Sequence, residues 1–185
     1  MVLGYDLKLW EQYQMKCGIN VEIPKLPHIL MSSPSGSGKS YALKWIVRNL
    51  INSYNVELTF CNFKDSSDFR FLRDCSDCSY YTVNDCLTGF NKFYDGFKKA
   101  QEQAHEYDGV LHVLIFDEFQ AFINATNMAQ KKLGTQIQSQ LSEMLCLSRS
   151  YGYCLFIVCQ RASASLFPEG TRDNFFIYND KFRES

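Results

Sequence analysis

The sequence predicts an α/β fold, a mostly parallel sheet covered by helices on both faces, in a single domain spanning 1–185. Three observations carry that expectation. Runs such as Val113-Leu114-Ile115-Phe116 and Tyr153 to Cys159 are almost wholly apolar, as strands buried on both faces are. They alternate along the chain with segments whose apolar residues recur at helical spacing. Each stretch with chemistry to offer falls just after a strand or near a helix end, where open α/β sheets bind ligands.

The elements follow in order. Pro27 to Met31 reads as a short strand entering a glycine-rich loop. Ser40 to Ser53 reads as a helix, with Leu43, Ile46, Val47 and Leu50 on one face. Val56 to Cys61 is a second strand. Asp85 to about His105 is a helix, with Leu87, Phe90, Phe93, Phe97 and Ala100 at helical spacing. Val110 to Phe116 is a third strand. Thr135 to Arg149 is a helix that turns Ile137, Leu141, Met144 and Leu145 inward. Tyr153 to Cys159 is a fourth strand and Phe175 to Tyr178 a fifth.

Composition bounds the partners loosely. Hydrophobic content of 46% and charged content of 21% suit a globular core. A net charge of -1 gives no global sign of nucleic acid or an anionic membrane, although a ring that grips DNA through a few residues needs none. No apolar run reaches the length that spans a bilayer, and the polar N-terminus is unlike a signal peptide, so a cytoplasmic home is expected. Eight Cys are scattered, several in apolar runs where Cys is a small buried hydrophobe. Cys75 and Cys78 form a lone CxxC, short of the four ligands that zinc takes.

The loop Ser33-Pro34-Ser35-Gly36-Ser37-Gly38-Lys39-Ser40 matches G-x-x-x-x-G-K-[ST] except at its first position. Phosphate oxygens need converging backbone N–H donors and positive charge. A glycine-rich turn feeding a helix N-terminus supplies both. Residues Ser35, Gly36, Ser37, Gly38, Lys39, Ser40 and Tyr41 are therefore expected to bind the nucleotide, with Lys39 on the β- and γ-phosphates and the Ser40 hydroxyl on Mg²⁺. Ser33 is expected to be a tolerated variation at the loop entrance, held extended by Pro34.

Val113 to Phe116 then Asp117-Glu118 is an apolar strand ending in two acids, the Walker B pattern. Asp117 is placed to hold Mg²⁺ and Glu118 to polarise the attacking water of an ATP hydrolase. Gln160, directly after the fourth strand, can reach a γ-phosphate or a catalytic water. Arg149, at a helix end, fits either a dipole-stabilising cation or an arginine finger. A GTPase is disfavoured: no Asp is followed by Gly three positions on.

Together these stretches resemble the FtsK/SpoIIIE-type DNA translocases of the FtsK–HerA group of P-loop ATPases. LPHILMSSPSGSGKSYAL is similar to that family's strand, loop and helix, VLIFDEFQAF to its Walker B strand, and LSRSYGYCLFIVCQRAS to its Arg-bearing helix end and Gln-tipped strand. The resemblance implies a RecA-like motor domain that hydrolyses Mg-ATP at the subunit interfaces of a ring, expected to be a hexamer, and moves double-stranded DNA. In it Arg149 acts in a neighbour's site and Gln160 senses the nucleotide. Lys131 and Lys132 are candidates for DNA contact, as are Lys64, Arg70 and Arg73; each also reads as solvated surface charge. The family's motor domain continues beyond the point matching Ser185, so a fragment or a compact relative is expected. Membrane-associated partners remain open. So do two other readings: a conjugation- or secretion-type ATPase acting on protein partners, and a nucleotide-binding module with little turnover.

Overall fold

The computed structural model describes residues 1–163, 166–168 and 170–179, with the backbone alone described at Leu7, Lys131, Tyr178 and Asn179. Eight strands and five helices are found among them: β1 (Val2–Tyr5), α1 (Leu7–Tyr13), β2 (Gly18–Asn20), β3 (His28–Ser32), α2 (Lys39–Ser53), β4 (Asn55–Asn62), β5 (Cys78–Thr82), α3 (Cys86–Glu102), β6 (Val110–Asp117), α4 (Phe119–Ala129), α5 (Lys131–Leu147), β7 (Tyr153–Cys159) and β8 (Phe176–Asn179). Short 3-10 turns cover Ser67–Asp74, Ser148–Tyr151 and Thr171–Asn174.

Six strands form the main sheet in the order β5-β4-β6-β7-β3-β8. Every pairing in it is parallel. A parallel sheet needs crossovers that cover its faces, and period-two alternation divides the side chains between them. Leu111, Val113 and Ile115 of β6 point to one core, with α2 and the β1–β2 hairpin. Leu114 and Phe116 of the same strand point to the other, with α3, α4 and α5. All seven residues of β7 are buried, as its unbroken apolar run requires.

The predicted helices and strands are present, with ends moved by a few residues. Five elements were not anticipated. β1 and β2 form a separate antiparallel pair. β5 (Cys-Ser-Tyr-Tyr-Thr) is a half-buried edge strand without an apolar run. α1 begins at Asp6, whose carboxylate accepts from the Leu9 N–H at 3.1 Å. α4 starts at Glu118, which lies in the left-handed region at φ 59 and offers no side-chain cap. One expectation is corrected. The helix expected from Thr135 begins four residues earlier, so Lys131 and Lys132 form the first turn of α5. A single residue, Gln130, joins α4 to α5. The helices cross so closely that a Cβ on Gly134 would lie 2.0 Å from Asn127 Oδ1. No helix among the described residues is long and apolar enough to cross a membrane.

Candidate nucleotide site

β6, β7 and β3 are adjacent in the sheet, so their carboxyl ends deliver three segments to one place. β6 delivers Asp117 and Glu118, β7 delivers Gln160, and β3 delivers the loop 33–38 that runs into α2. β4, on the far side of β6, adds the segment after Asn62. The resulting cleft has a volume of about 250 Å³ and is lined by the loop residues from Pro34 to Tyr41 other than Ser37, by Lys64, Ser66 and Asp68, and by Asp117 and Glu118.

Each part has a local reason. Gly36 at φ 83 and Gly38 at φ 90 occupy backbone regions that side chains rarely adopt. Gly38 immediately precedes α2, so the first amides of that helix have no partner within it and face the cleft. Lys39 lies inside the cleft. Its Nζ donates to the Ser33 carbonyl at 3.3 Å and pairs with Glu118 Oε1 at 3.6 Å. Both side chains are close to nine-tenths buried, at 11% and 9% exposed. Gln160 Nε2 donates to the same Glu118 oxygen at 3.4 Å. Lys39, Glu118 and Gln160 thus meet at one carboxylate.

Asp117 is also buried. Burial, and then the adjacent Glu118 charge, push its carboxyl up to about 6, against the opposing pull of Lys39 and Lys64. A buried carboxylate so placed favours a cation as partner. Ser40 lines the same cleft, beside Asp68, whose carboxylate accepts from Lys44 Nζ at 3.0 Å. Oxygen donors of this kind, hydroxyl and carboxylate beside a phosphate loop, fit Mg²⁺.

The sequence reading missed the wall opposite the phosphate loop. Asn62 is fully buried and holds the 62–66 turn closed: its Nδ2 donates to the Ser66 carbonyl at 3.0 Å, and its Oδ1 accepts from the Ser66 N–H at 3.3 Å. That turn carries Lys64 into the cleft. The signal was available, since a polar Asn ends an apolar strand there. Of the other cations considered for DNA, Arg73 pairs with Asp65 at 3.4 Å and covers the Tyr80 ring at 5.2 Å, and Arg70 is exposed.

Arg149 is not brought to this cleft. It lies in the turn before β7, at that strand's amino end, whereas Gln160 follows its carboxyl end. Seven residues of strand separate them, roughly 20 Å. A larger open groove of about 500 Å³ lies toward the amino ends of the strands, lined by Glu57, Asp77, Lys92, His112 and Tyr153 among others. It has no glycine loop and no helix N-terminus, the two features that phosphate oxygens call for and that the smaller cleft has. Cys75 and Cys78 are free thiols, and no cluster of three or more metal-ligating side chains occurs among the described residues.

Residues 29–174, which contain every part of this site, match the ATPase family associated with various cellular activities (AAA). The chain belongs to the AAA family. It is a P-loop ATPase, and its RecA-like α/β sheet is that of the fold expected from the sequence. The resemblance to FtsK-type proteins is also met. The Ftsk domain-containing protein YdcQ of Bacillus subtilis (strain 168) is 25% identical over 170 residues, covering 85% of this chain and 34% of that protein. The chain therefore spans about a third of that relative's length. Among solved structures, the pCW3 conjugation coupling protein TcpA, in monomer form with ATPγS, has a TM-score of 0.69 at 22% identity, covering 94% of this chain and 56% of that one. The cytoplasmic domain of the Thermomonospora curvata type VII secretion ATPase EccC has a TM-score of 0.67 at 18% identity, covering 94% and 22%. At these identities the two solved structures speak to the fold of this AAA domain and to nothing further.

Proposed function

We propose that this AAA domain is the motor of an ATP-driven double-stranded DNA translocase, working as a ring of identical subunits, most simply a hexamer. The observation that carries the reading is the separation of Arg149 from the cleft. An arginine at the opposite end of the sheet from Glu118 and Gln160 serves hydrolysis only if a neighbour's cleft receives it.

The amides of residues 36–40 and Lys39 hold the triphosphate. Ser35, Ser37 and Tyr41 shape the loop and its mouth, and Lys64 adds positive charge from the opposite wall. Ser40 and Asp117 would hold Mg²⁺, which would offset the negative charge of the triphosphate. Without nucleotide, Glu118 is paired with Lys39. When the phosphates take over the Lys39 ammonium, Glu118 retains only its Gln160 partner and is free to orient a water for attack. Gln160, bonded to the same carboxylate, reports the occupied γ-site to β7. The neighbour's Arg149 stabilises the charge that develops on the transferred phosphoryl group.

DNA is assigned to the α4–α5 corner. Two cations in the first turn of α5 oppose the helix dipole, so helix stability does not account for Lys131 and Lys132. Phosphate contact does. The resemblance to FtsK-type translocases, shared with the FtsK domain-containing relative, supports a DNA substrate. The test is ATP turnover with and without double-stranded DNA. Stimulation is expected, and Lys131→Ala with Lys132→Ala is expected to remove it while ATP binding persists. A motor that DNA does not stimulate would instead fit the secretion-type reading that the EccC fold permits; a chain that binds ATP without turnover would be a switch module.

A further inference from the structure

Ser33 occupies the position where the phosphate-loop pattern has glycine, and three contacts fix it. Its N–H donates to the Cys159 carbonyl at 3.4 Å, tying the loop entrance to β7. Its carbonyl accepts from Lys39 Nζ at 3.3 Å. Its Oγ lies 2.8 Å from Ser37 Oγ, which is also 2.8 Å from the Pro34 carbonyl oxygen. Ser33 is 2% exposed. A glycine here would keep the two backbone contacts and lose the third.

The hydroxyl contact closes the loop on itself. Ser37 has one hydroxyl hydrogen and two oxygen neighbours, so both contacts are satisfied only if the Ser33 hydroxyl supplies a second hydrogen. Ser33, Ser37 and the Pro34 carbonyl then form a continuous hydrogen-bonded bridge. It pins the residue flanked by the two left-handed glycines, Gly36 at φ 83 and Gly38 at φ 90. Glycines lose the most backbone freedom on ordering, so a loop built on two of them has the most to lose when phosphate fixes it.

We infer that Ser33 is a positioning residue that preorganises the phosphate loop: its hydroxyl, through Ser37, holds the loop amides in their binding arrangement before a nucleoside triphosphate arrives. Ordering done in the free protein is not charged to binding. The effect falls on affinity rather than on the chemical step, because the hydroxyl bridge from Ser33 through Ser37 to the Pro34 carbonyl touches neither Glu118 nor Gln160. This inference rests on the ATP-binding reading of the cleft.

The test uses the full chain. A fluorescent mant-ATP titration and ATP turnover at varied ATP are measured for wild type, Ser33→Gly, Ser33→Ala, Ser37→Ala and the Ser33→Ala, Ser37→Ala double variant, with thermal unfolding as a check on folding. Each single variant is expected to bind mant-ATP about fivefold more weakly, the size of one lost hydrogen bond. KM rises in step and kcat stays near wild type. The double variant is expected to be no worse than either single one, because both remove the same bridge. Ser37→Ala carries the test if the buried Ser33 variants fail to fold. Wild-type affinity in Ser33→Gly and Ser37→Ala, or losses that multiply in the double variant, would overturn the inference. So would a fall in kcat at unchanged KM. A wild-type chain that binds no mant-ATP would instead bring down the nucleotide reading itself, a distinct outcome.

Discussion

The two ends of the central strands hold their charges in opposite ways. At the carboxyl ends, Asp117, Glu118 and Lys39 are nearly closed off from solvent and lean on one another. At the amino ends, Glu57 pairs with His112 at 3.0 Å while the Glu57 side chain stays 70% exposed, and Arg149 is exposed. Burial costs several kcal/mol per ion unless partners offset it, so the cleft holds charges in a state that an incoming phosphate and cation can relieve. The amino end gives up little to desolvation and holds its cation where another molecule can reach it. The same strands thus carry a receiving face and a presenting face.

Mixing two inactive variants is the most severe way to break that contrast. On the proposed reading, Glu118→Gln leaves the cleft without its base, and Arg149→Ala leaves a neighbour's cleft without its finger. Each alone is expected to lose about a thousandfold in ATP turnover, within the range such groups supply. Mixed, they should recover part of it, since Arg149→Ala subunits keep an intact cleft and Glu118→Gln subunits keep an intact arginine. A mixture as inactive as its parts would place both residues in the same subunit's chemistry and end the two-face picture.

A smaller effect sharpens the receiving face. Asp117 has a folded-state pKa pushed up to about 6, above the ordinary carboxylate range. A raised carboxyl pKa means the fold prefers the protonated form. The stability this contributes is complete below about pH 4 and is lost as pH rises through about 6. Asp117→Asn, which cannot ionise, should therefore be more stable than wild type by about 3 kcal/mol at neutral pH without nucleotide. The difference should close as the pH approaches 4. Urea unfolding across that window, against wild type so that common groups cancel, measures it. The same variant should lose the Mg²⁺ dependence of ATP binding.

The smallest effect belongs to the presenting face. Glu57→Gln removes the partner of His112 at an exposed pair and should change stability by less than about 0.5 kcal/mol. A larger loss in urea unfolding would mean that the amino end also relies on its ion pairs.

How far the sequence could be read follows the same division. β6 and β7 were legible because they are buried on both faces, and their apolar runs admit few other structures. The phosphate loop was legible because glycine, lysine and serine are needed together at one turn. β5 was not, because an edge strand with exposed positions has neither a continuous run nor a clean alternation. α4 was hidden by its start: Glu118 in the left-handed region is a departure no local preference predicts. The cleft's second wall was missed because an Asn at a strand end does not by itself say that its turn carries Lys64 to the phosphate loop; β4 has to lie beside β6 for that. Arg149 was legible as a residue, but the distance that gives it meaning is set by the length of β7.

The junction of α4 and α5 has a mechanical consequence. α4 has Glu118 as its N-cap residue and runs 11 residues from Phe119 to Ala129, about 16 Å of rigid rod. One residue later α5 begins at Lys131, with the Gly134–Asn127 contact locking the corner. No slack loop lies between the carboxylate at one end and the lysines at the other. A rotation of the Glu118 backbone would therefore reach the far end of the rod as a displacement, with the length of the helix as its lever.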